Sequence, residues 1–145
     1  MKRIAYLSLV IALLNISCSQ EQKSPVTGAW QLISGKTVTP DTVIIAPASV
    51  HGDYMKIIGE KHFATIWQDL TIDPSNLWHA GFNGGTYTFE DEVYTESLEY
   101  FSEESSIGGT FKAKVEFNGD TMILTYIPED PDSKVTSIEK WKRLE

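Results

Sequence analysis

The sequence predicts an all-β fold, an eight-stranded antiparallel up-and-down β-barrel preceded by a cleaved signal peptide. Short apolar runs recur between turn signals from residue 27 to residue 143, and no part of this stretch shows a helical period over three turns. The connections between the runs are alternately long and short. A change of composition near residue 18 separates this domain from the N-terminal segment.

The first 17 residues have the composition of a secretory signal peptide. Lys2 and Arg3 precede an apolar run from residue 4 to residue 14, in which Ser8 is the one polar member. A membrane-spanning helix needs roughly 20 apolar residues, so this run is too short to span a bilayer. We therefore expect residues 1–17 to be removed on export.

The single cysteine of the chain, Cys18, directly follows this segment. Ser17 and Cys18 resemble the end of a bacterial lipoprotein signal, in which cleavage precedes an acylated cysteine, although Asn15 stands where leucine is usual. We expect Cys18 to anchor the exported protein in the cell envelope through lipid. Ser19 replaces the aspartate that marks inner-membrane retention in some bacteria, which favours the outer membrane. The alternative is an ordinary secretory signal with an incidental cysteine.

The mature chain is strongly acidic. Removal of Lys2 and Arg3 with the signal leaves 10 basic and 20 acidic residues, a net charge of −10 at pH 7. Phosphate and anionic lipid repel such a domain, so we expect no nucleic-acid partner and no membrane contact besides the anchor. Residues 18–26 are then the lipidated cysteine and a polar tether, and residues 27–145 form one domain that can bury a core.

Eight strands are predicted from the period-two patterns and the turn residues between them. In chain order they cover residues 28–36, 53–58, 62–68, 85–90, 92–101, 109–117, 120–127 and 134–143. The sixth is the clearest, because Phe111, Ala113, Val115 and Phe117 alternate with Lys112, Lys114 and Glu116. That alternation predicts one face in a core and the other in water.

The connections predict how these strands are arranged. Long connections at residues 37–52 and 69–84 alternate with short ones at residues 59–61, near Asp91 and at Asn118-Gly119. Successive connections of a meander lie at opposite ends, so we expect both long ones at an open end. Asn-Gly is typical of a primed turn with positive φ at both residues. Closure of eight strands removes exposed edges; the alternative is a two-sheet sandwich with crossing strand order.

Several short motifs occur in order along residues 27–143. They are Gly28-Ala29-Trp30, Met55-Lys56-Ile57-Ile58 with His62-Phe63, Gly85-Thr86-Tyr87-Thr88-Phe89, Tyr94-Thr95-Glu96, Ile107-Gly108 and Glu139-Lys140-Trp141-Lys142-Arg143. In this order they resemble the bacterial lipocalin-like lipoproteins, which have a calycin-type β-barrel. The resemblance implies a barrel that binds a small apolar molecule. It also implies a structural pair at the closed end, in which Arg143 stacks on Trp30.

The sequence contains no recognisable pattern for metal or covalent chemistry. Its three histidines, His51, His62 and His79, form neither an HExxH motif nor a pair four residues apart, and the one cysteine is assigned to lipid. No Gly-x-Ser-x-Gly motif is present. We therefore expect no metal, no cofactor and no enzymatic activity. The alternative is a metal site where His51 and His79 meet Asp53 or Asp73.

Two strand carboxylates, Glu96 and Glu99, lie among aromatic residues and, being three apart, face opposite sides of their strand. One of them must face the lumen, where an unpaired charge is costly to bury. We expect Glu96 to be the lumenal one, with Tyr94 and Tyr100 on the same face. The alternatives are an inward Glu99, or a Glu96 that is simply paired with a lysine of the wall.

The predicted pocket opens between the two long connections and is lined by one face from each of three strands. Its residues are Phe63, Trp67, Tyr87, Phe89, Tyr94, Glu96 and Tyr100. Glu96 and the tyrosine hydroxyls would orient a ligand that carries a hydroxyl or an amine. A one-residue error in register would turn a whole set outward. The alternative inner face of the third strand is His62, Ala64, Ile66 and Gln68.

The predicted function is that of a membrane-anchored protein that binds a small, largely apolar ligand. The alternative is a non-enzymatic envelope interaction protein, whose barrel is filled by its own side chains and whose long loops contact a protein partner. An enzyme that uses the lumen as its site is a third hypothesis. The segment Trp78-His79-Ala80-Gly81-Phe82 favours contact at the open end, with either ligand or partner.

Overall fold

The computed structural model describes residues 23–47, 53–68, 80–102 and 104–144. The predicted signal peptide and Cys18 lie outside the described residues, as do His51 and His79. Within the described ranges, no helix is long and apolar enough to cross a membrane. The one helical element in them is a 3₁₀ turn at Glu104–Ser106.

The described residues form nine β-strands. They are β1 Gly28–Val38, β2 Val43–Pro47, β3 Asp53–Ile58, β4 His62–Gln68, β5 Ala80–Glu90, β6 Val93–Phe101, β7 Thr110–Asn118, β8 Thr121–Ile127 and β9 Thr136–Arg143. All pairings between them are antiparallel.

The sheet closes into a barrel of eight strands. From β3 to β9 each strand pairs with the next in sequence, and β1 pairs with both β3 and β9. The closing seam runs from Trp30 opposite Arg143 to Val38 opposite Thr136. The predicted up-and-down barrel is therefore confirmed, and the sequential pairing excludes the two-sheet sandwich.

The first predicted long loop, residues 37–52, contains an additional strand. β1 continues to Val38, and β2 pairs back onto its residues 34–38. The β-branched run Val43-Ile44-Ile45 favours extended structure. Since β3 pairs only with residues 28–31 of β1, β2 takes up the edge of β1 that β3 leaves open.

Three tight turns lie together at one end of the barrel and join β3 to β4, β5 to β6 and β7 to β8. Asp91 and Glu92 have φ values of 50° and 64°, the two positive values of a primed hairpin turn. At the third turn, Asn118 still pairs with Thr121 as the last residue of β7. Gly119, with φ of 61°, therefore begins the turn. The expectation that Asn118-Gly119 is the central pair is wrong by one residue.

The strand ends that lead into the long connections lie side by side at the opposite end. Asp53 of β3 pairs with Gln68 of β4, which in turn pairs with Ala80 of β5. The loop residues 48–52 and 69–79 lie outside the described residues. β5 begins at Ala80 and not at residue 85, because pairing with β4 overrides the weak strand preference of its glycines and asparagine.

The apolar core lies towards the end with the tight turns. Its fully buried side chains include Val26, Trp30, Met122 and Leu124, and Trp141 is nearly so. Phe63 of β4 and Ala113 and Val115 of β7 also belong to it. This end is therefore filled by the chain's own side chains, and any open volume must lie nearer the long connections.

Candidate binding site in the barrel lumen

The closed end of the barrel is built around Trp30 and Arg143. The Trp30 indole is completely buried, and its Nε1 donates to the Val26 carbonyl at 2.8 Å. The Arg143 guanidinium carbon lies 4.0 Å from the centroid of the Trp30 ring. The same guanidinium donates to the carbonyls of Thr27 and Pro25, both at 2.8 Å. The stacked pair that the resemblance implies is therefore present, and it ties the entering segment to the last strand.

A buried ion pair lies in the middle of the lumen. Lys56 Nζ of β3 is 2.6 Å from Glu96 Oε1 of β6, and the two side chains are 3% and 5% exposed. The lysine Nζ also lies 5.1 to 5.8 Å from the ring centroids of Trp141, Tyr94 and Phe63. Glu96 thus faces inward as expected. Of the alternatives, pairing with a lysine of the wall is the one that the structure shows.

Tyr94 adds a neutral hydroxyl beside this pair. Its side chain is buried, and its hydroxyl has no hydrogen-bond partner among the described residues. Burial raises the pKa of Tyr94 far above its ordinary value, and the nearby Glu96 carboxylate raises it further. The phenol therefore stays protonated at any physiological pH.

A second carboxylate, Glu139 of β9, lines the other side of the lumen. The Tyr126 hydroxyl and the Trp141 Nε1 both donate to its Oε2 at 2.9 Å. Burial raises the pKa of Tyr126 well above its ordinary value, and Glu139 contributes to the shift. Tyr126 therefore remains a hydrogen-bond donor, and two uncharged groups hold the Glu139 carboxylate in place.

Above these groups the lumen widens into an open cavity of about 650 Å³. One wall is aromatic: the rings of Tyr54 and Trp67 are stacked with centroids 6.0 Å apart, and the Phe101 ring is tilted against Trp67 at a centroid distance of 6.0 Å. Gly81, opposite Trp67 in β5, makes this position available, because a Cβ there would collide with the indole. Phe111, Ile127 and Pro128 extend the apolar lining.

Two polar side chains of the cavity wall have buried atoms without a hydrogen-bond partner among the described residues. They are Thr65 Oγ1 on β4 and Asn83 Oδ1 on β5, which face each other across the sheet register. Buried polar atoms are nearly always satisfied in folded proteins. A wall that is mostly apolar and carries a few unsatisfied polar groups has the composition of a ligand site.

Six of the seven predicted pocket residues divide into three groups, and Tyr100 lies outside all of them. Trp67 and Glu96 line the cavity. Phe63 and Tyr94 are buried beneath it, around the Lys56 ammonium. Tyr87 and Phe89 are half-buried against the core nearer the closed end.

Tyr87 is tied to that end, because its hydroxyl donates to the Gly59 carbonyl at 2.7 Å. The prediction that Tyr87 and Phe89 line the cavity is wrong, because the tight-turn end of the barrel is filled and the void begins one layer above them.

Tyr100 is also misplaced in the prediction, since it faces outward with 64% of its surface exposed. The cause is a β-bulge in β6: Gly84 pairs with Tyr100 but Gly85 pairs with Leu98, so Glu99 is an extra residue. Gly85 makes this possible, because a Cβ would collide with the Ser97 carbonyl oxygen. After the bulge the alternation changes phase, and Phe101 replaces Tyr100 as the inward residue.

The face of β4 follows the preferred expectation. Phe63 and Thr65 are buried and Trp67 is half-buried, whereas the alternative face of His62, Ala64, Ile66 and Gln68 is exposed. No cluster of metal-ligating side chains occurs within the described residues.

The site residues that were missed from the sequence include Tyr54, Lys56, Phe101 and Glu139. Period two could have identified Lys56, because it lies between Tyr54 and Ile58 on one face of β3. Glu139 could have been found in the same way, two residues before Trp141. Phe101 could not, since its inward position depends on the bulge.

Known proteins share this fold. A family described as a domain of unknown function, DUF4488, matches residues 25–145. The chain belongs to this family. No curated protein matches the chain.

Among solved structures, the chain is similar to a lipocalin-like protein from Bacteroides uniformis ATCC 8492. The TM-score is 0.50 at 15% sequence identity, over 81% of this chain and 97% of that one. An uncharacterized protein from Bacteroides eggerthii DSM 20697 matches with a TM-score of 0.45 at 14% identity, over 79% of this chain and 97% of the other. The first likeness supports the lipocalin-like barrel as the fold of this family member.

Proposed function

We propose that this protein binds a small, largely apolar ligand in the open half of its barrel and presents it at the cell envelope. The observation that carries the proposal is the cavity of about 650 Å³ between the aromatic wall and the Lys56–Glu96 pair. Its volume lies in the range of small-molecule sites, roughly 300–1,000 Å³. A barrel filled entirely by its own side chains would have no such space, which favours ligand binding over the envelope interaction protein.

The arrangement of the lumenal carboxylates supports binding and not catalysis. Glu96 is held by Lys56, and Glu139 is held by Tyr126 and Trp141. A general acid or base needs a proton that it can exchange with substrate. Fixed partners suit a role in holding ligand, and we propose no enzymatic step.

Native mass spectrometry of the purified protein tests the proposal. We expect a non-covalent adduct of a small molecule, and displacement of that adduct by the neutral apolar probe N-phenyl-1-naphthylamine. Trp67→Ala should weaken binding of the probe, because it removes the centre of the aromatic wall. A protein that carries no adduct and binds no probe would overturn the proposal.

The envelope location is a second part of the proposal and rests on Cys18 and the preceding signal-like segment. Cys18→Ala should move the exported protein from the membrane fraction to the soluble fraction, because acyl chains supply the whole membrane contact. Fractionation followed by immunoblotting measures this. If the variant stays in the membrane fraction, the lipid anchor is not what holds the protein there.

A further inference from the structure

The charges that line the cavity do not cancel. Lys56 neutralises Glu96 by direct contact, and Lys112 and Glu129 near the mouth are of opposite sign. Glu139 is left over. The lumen therefore carries one uncompensated negative charge, inside a domain that is itself strongly acidic.

Glu139 is also built to keep one oxygen available. Both of its hydrogen bonds, from Tyr126 and Trp141, are accepted by Oε2. Within the part of the chain that the structure describes, no donor reaches Oε1, and no basic side chain comes within 4.0 Å of the carboxylate. The carboxylate is half-buried and lines the cavity. An oriented carboxylate with a free oxygen at the edge of a cavity is an acceptor for a charged donor.

The rest of the cavity suits the remainder of such a ligand. The rings of Tyr54, Trp67 and Phe101 offer apolar area to a hydrocarbon or aromatic body, and their faces also attract cations. A ligand carboxylate is disfavoured, because the lumenal cation Lys56 is already engaged at 2.6 Å.

We infer that the ligand is an amphipathic organic cation, whose ammonium group is bound by Glu139 and whose apolar body lies against the wall of Tyr54, Trp67 and Phe101. This rests on the proposed function and names the class of ligand. The negative charge of the domain raises the local concentration of cations near the mouth, and the carboxylate then selects among apolar molecules of equal size.

Three probes of equal chain length separate the class of ligand from the presence of a site. Isothermal titration calorimetry of the purified protein compares octylamine, 1-octanol and octanoate at neutral pH. We expect octylamine to bind roughly tenfold or more tightly than 1-octanol, because its hydrogen bond to the carboxylate is charge-assisted. Octanoate should bind most weakly.

Glu139→Gln keeps an acceptor for Tyr126 and Trp141 but removes the charge. It should lower the affinity for octylamine roughly tenfold and change that for 1-octanol by less than about twofold. Glu116→Gln is the matched control: it makes the same change of net charge on the exposed face of β7 and should leave both affinities unchanged. If Glu139→Gln fails to fold, the ranking of the three probes on the unmodified protein decides.

The outcomes are distinct. Equal binding of octylamine and 1-octanol overturns the cation inference and leaves the apolar site intact. Tighter binding of octanoate also overturns it and points to Lys56 as the recognition group. If none of the three probes binds, the proposed function fails together with the inference.

Discussion

The two ends of this barrel use the same kinds of residue for different purposes. At the closed end the Trp30 indole and the Arg143 guanidinium stack on each other. The hydrogen bonds that these two side chains donate within the described residues all go to backbone carbonyls of the chain itself. At the open end an indole, Trp67, stacks on Tyr54 beside an empty volume, and Glu139 keeps an oxygen without a donor. The closed end is thus the filled half of the barrel, and the open end is the half in which we propose that ligand is bound.

The largest effect expected from this division concerns the two tryptophans. Trp30→Ala should lower the free energy of unfolding by about 3–5 kcal/mol, because it empties a fully buried site and orphans the Val26 carbonyl. Trp67→Ala should cost only about 1–2 kcal/mol, since its indole is half-buried next to open space. Denaturant unfolding monitored by circular dichroism measures both. Equal losses would contradict a division between the two ends.

Removing one partner of the Lys56–Glu96 ion pair should lower the free energy of unfolding more than removing both partners. Glu96→Leu leaves the Lys56 ammonium buried without a counter-charge, and Lys56→Met does the same to the Glu96 carboxylate. Removal of one partner of a buried pair costs about 3 kcal/mol or more. The double variant Lys56→Met/Glu96→Leu should recover most of that loss, because neither charge then has to be buried. A double-mutant cycle from denaturant unfolding tests this. A double variant as unstable as the sum of both single ones would show that the pair itself is not what matters.

Arg143 should contribute less to the free energy of unfolding than Trp30 or the Lys56–Glu96 ion pair does. Arg143→Ala removes the stack on Trp30 and two hydrogen bonds to the entering segment, for an expected loss of about 1–2 kcal/mol. The stability of Arg143→Lys should lie between those of the unmodified protein and Arg143→Ala. The ammonium keeps the charge, but it lacks the planar guanidinium that donates to both carbonyls. Thermal melts of the three proteins measure the series. An unchanged melting temperature in Arg143→Ala would remove the structural role of the pair.

Closure of the barrel could be predicted from the sequence because it follows from local features. Period-two alternation marks the strands, and the alternation of long and short connections assigns them to ends without any knowledge of contacts. β2 was missed because its pairing on β1 depends on an edge that β3 leaves open, and this vacancy is a tertiary property. The first five residues of β5 were missed for a similar reason, since pairing outweighs their composition.

The site could be predicted only up to the bulge. Phe63, Trp67, Tyr94 and Glu96 follow unbroken alternation, and the structure places all four on the inner face. Beyond Leu98 one extra residue reverses which side chains face inward, and no feature of the sequence Leu98-Glu99-Tyr100-Phe101 indicates this bulge. The partner strand held the clue, because two successive glycines opposite the run leave room for a bulge.

The smallest expected effect tests this reversal of phase directly. Tyr100→Ala removes an outward ring and should change the free energy of unfolding by no more than about 0.5 kcal/mol. Phe101→Ala removes a ring of the cavity wall in contact with Trp67, so it should cost about 1–2 kcal/mol and weaken binding of N-phenyl-1-naphthylamine. The neighbouring variants are matched in size, and fluorescence titration compares them. If Tyr100→Ala lowered the affinity for the probe and Phe101→Ala did not, β6 would continue without a bulge. The open end would then be lined as simple alternation predicts.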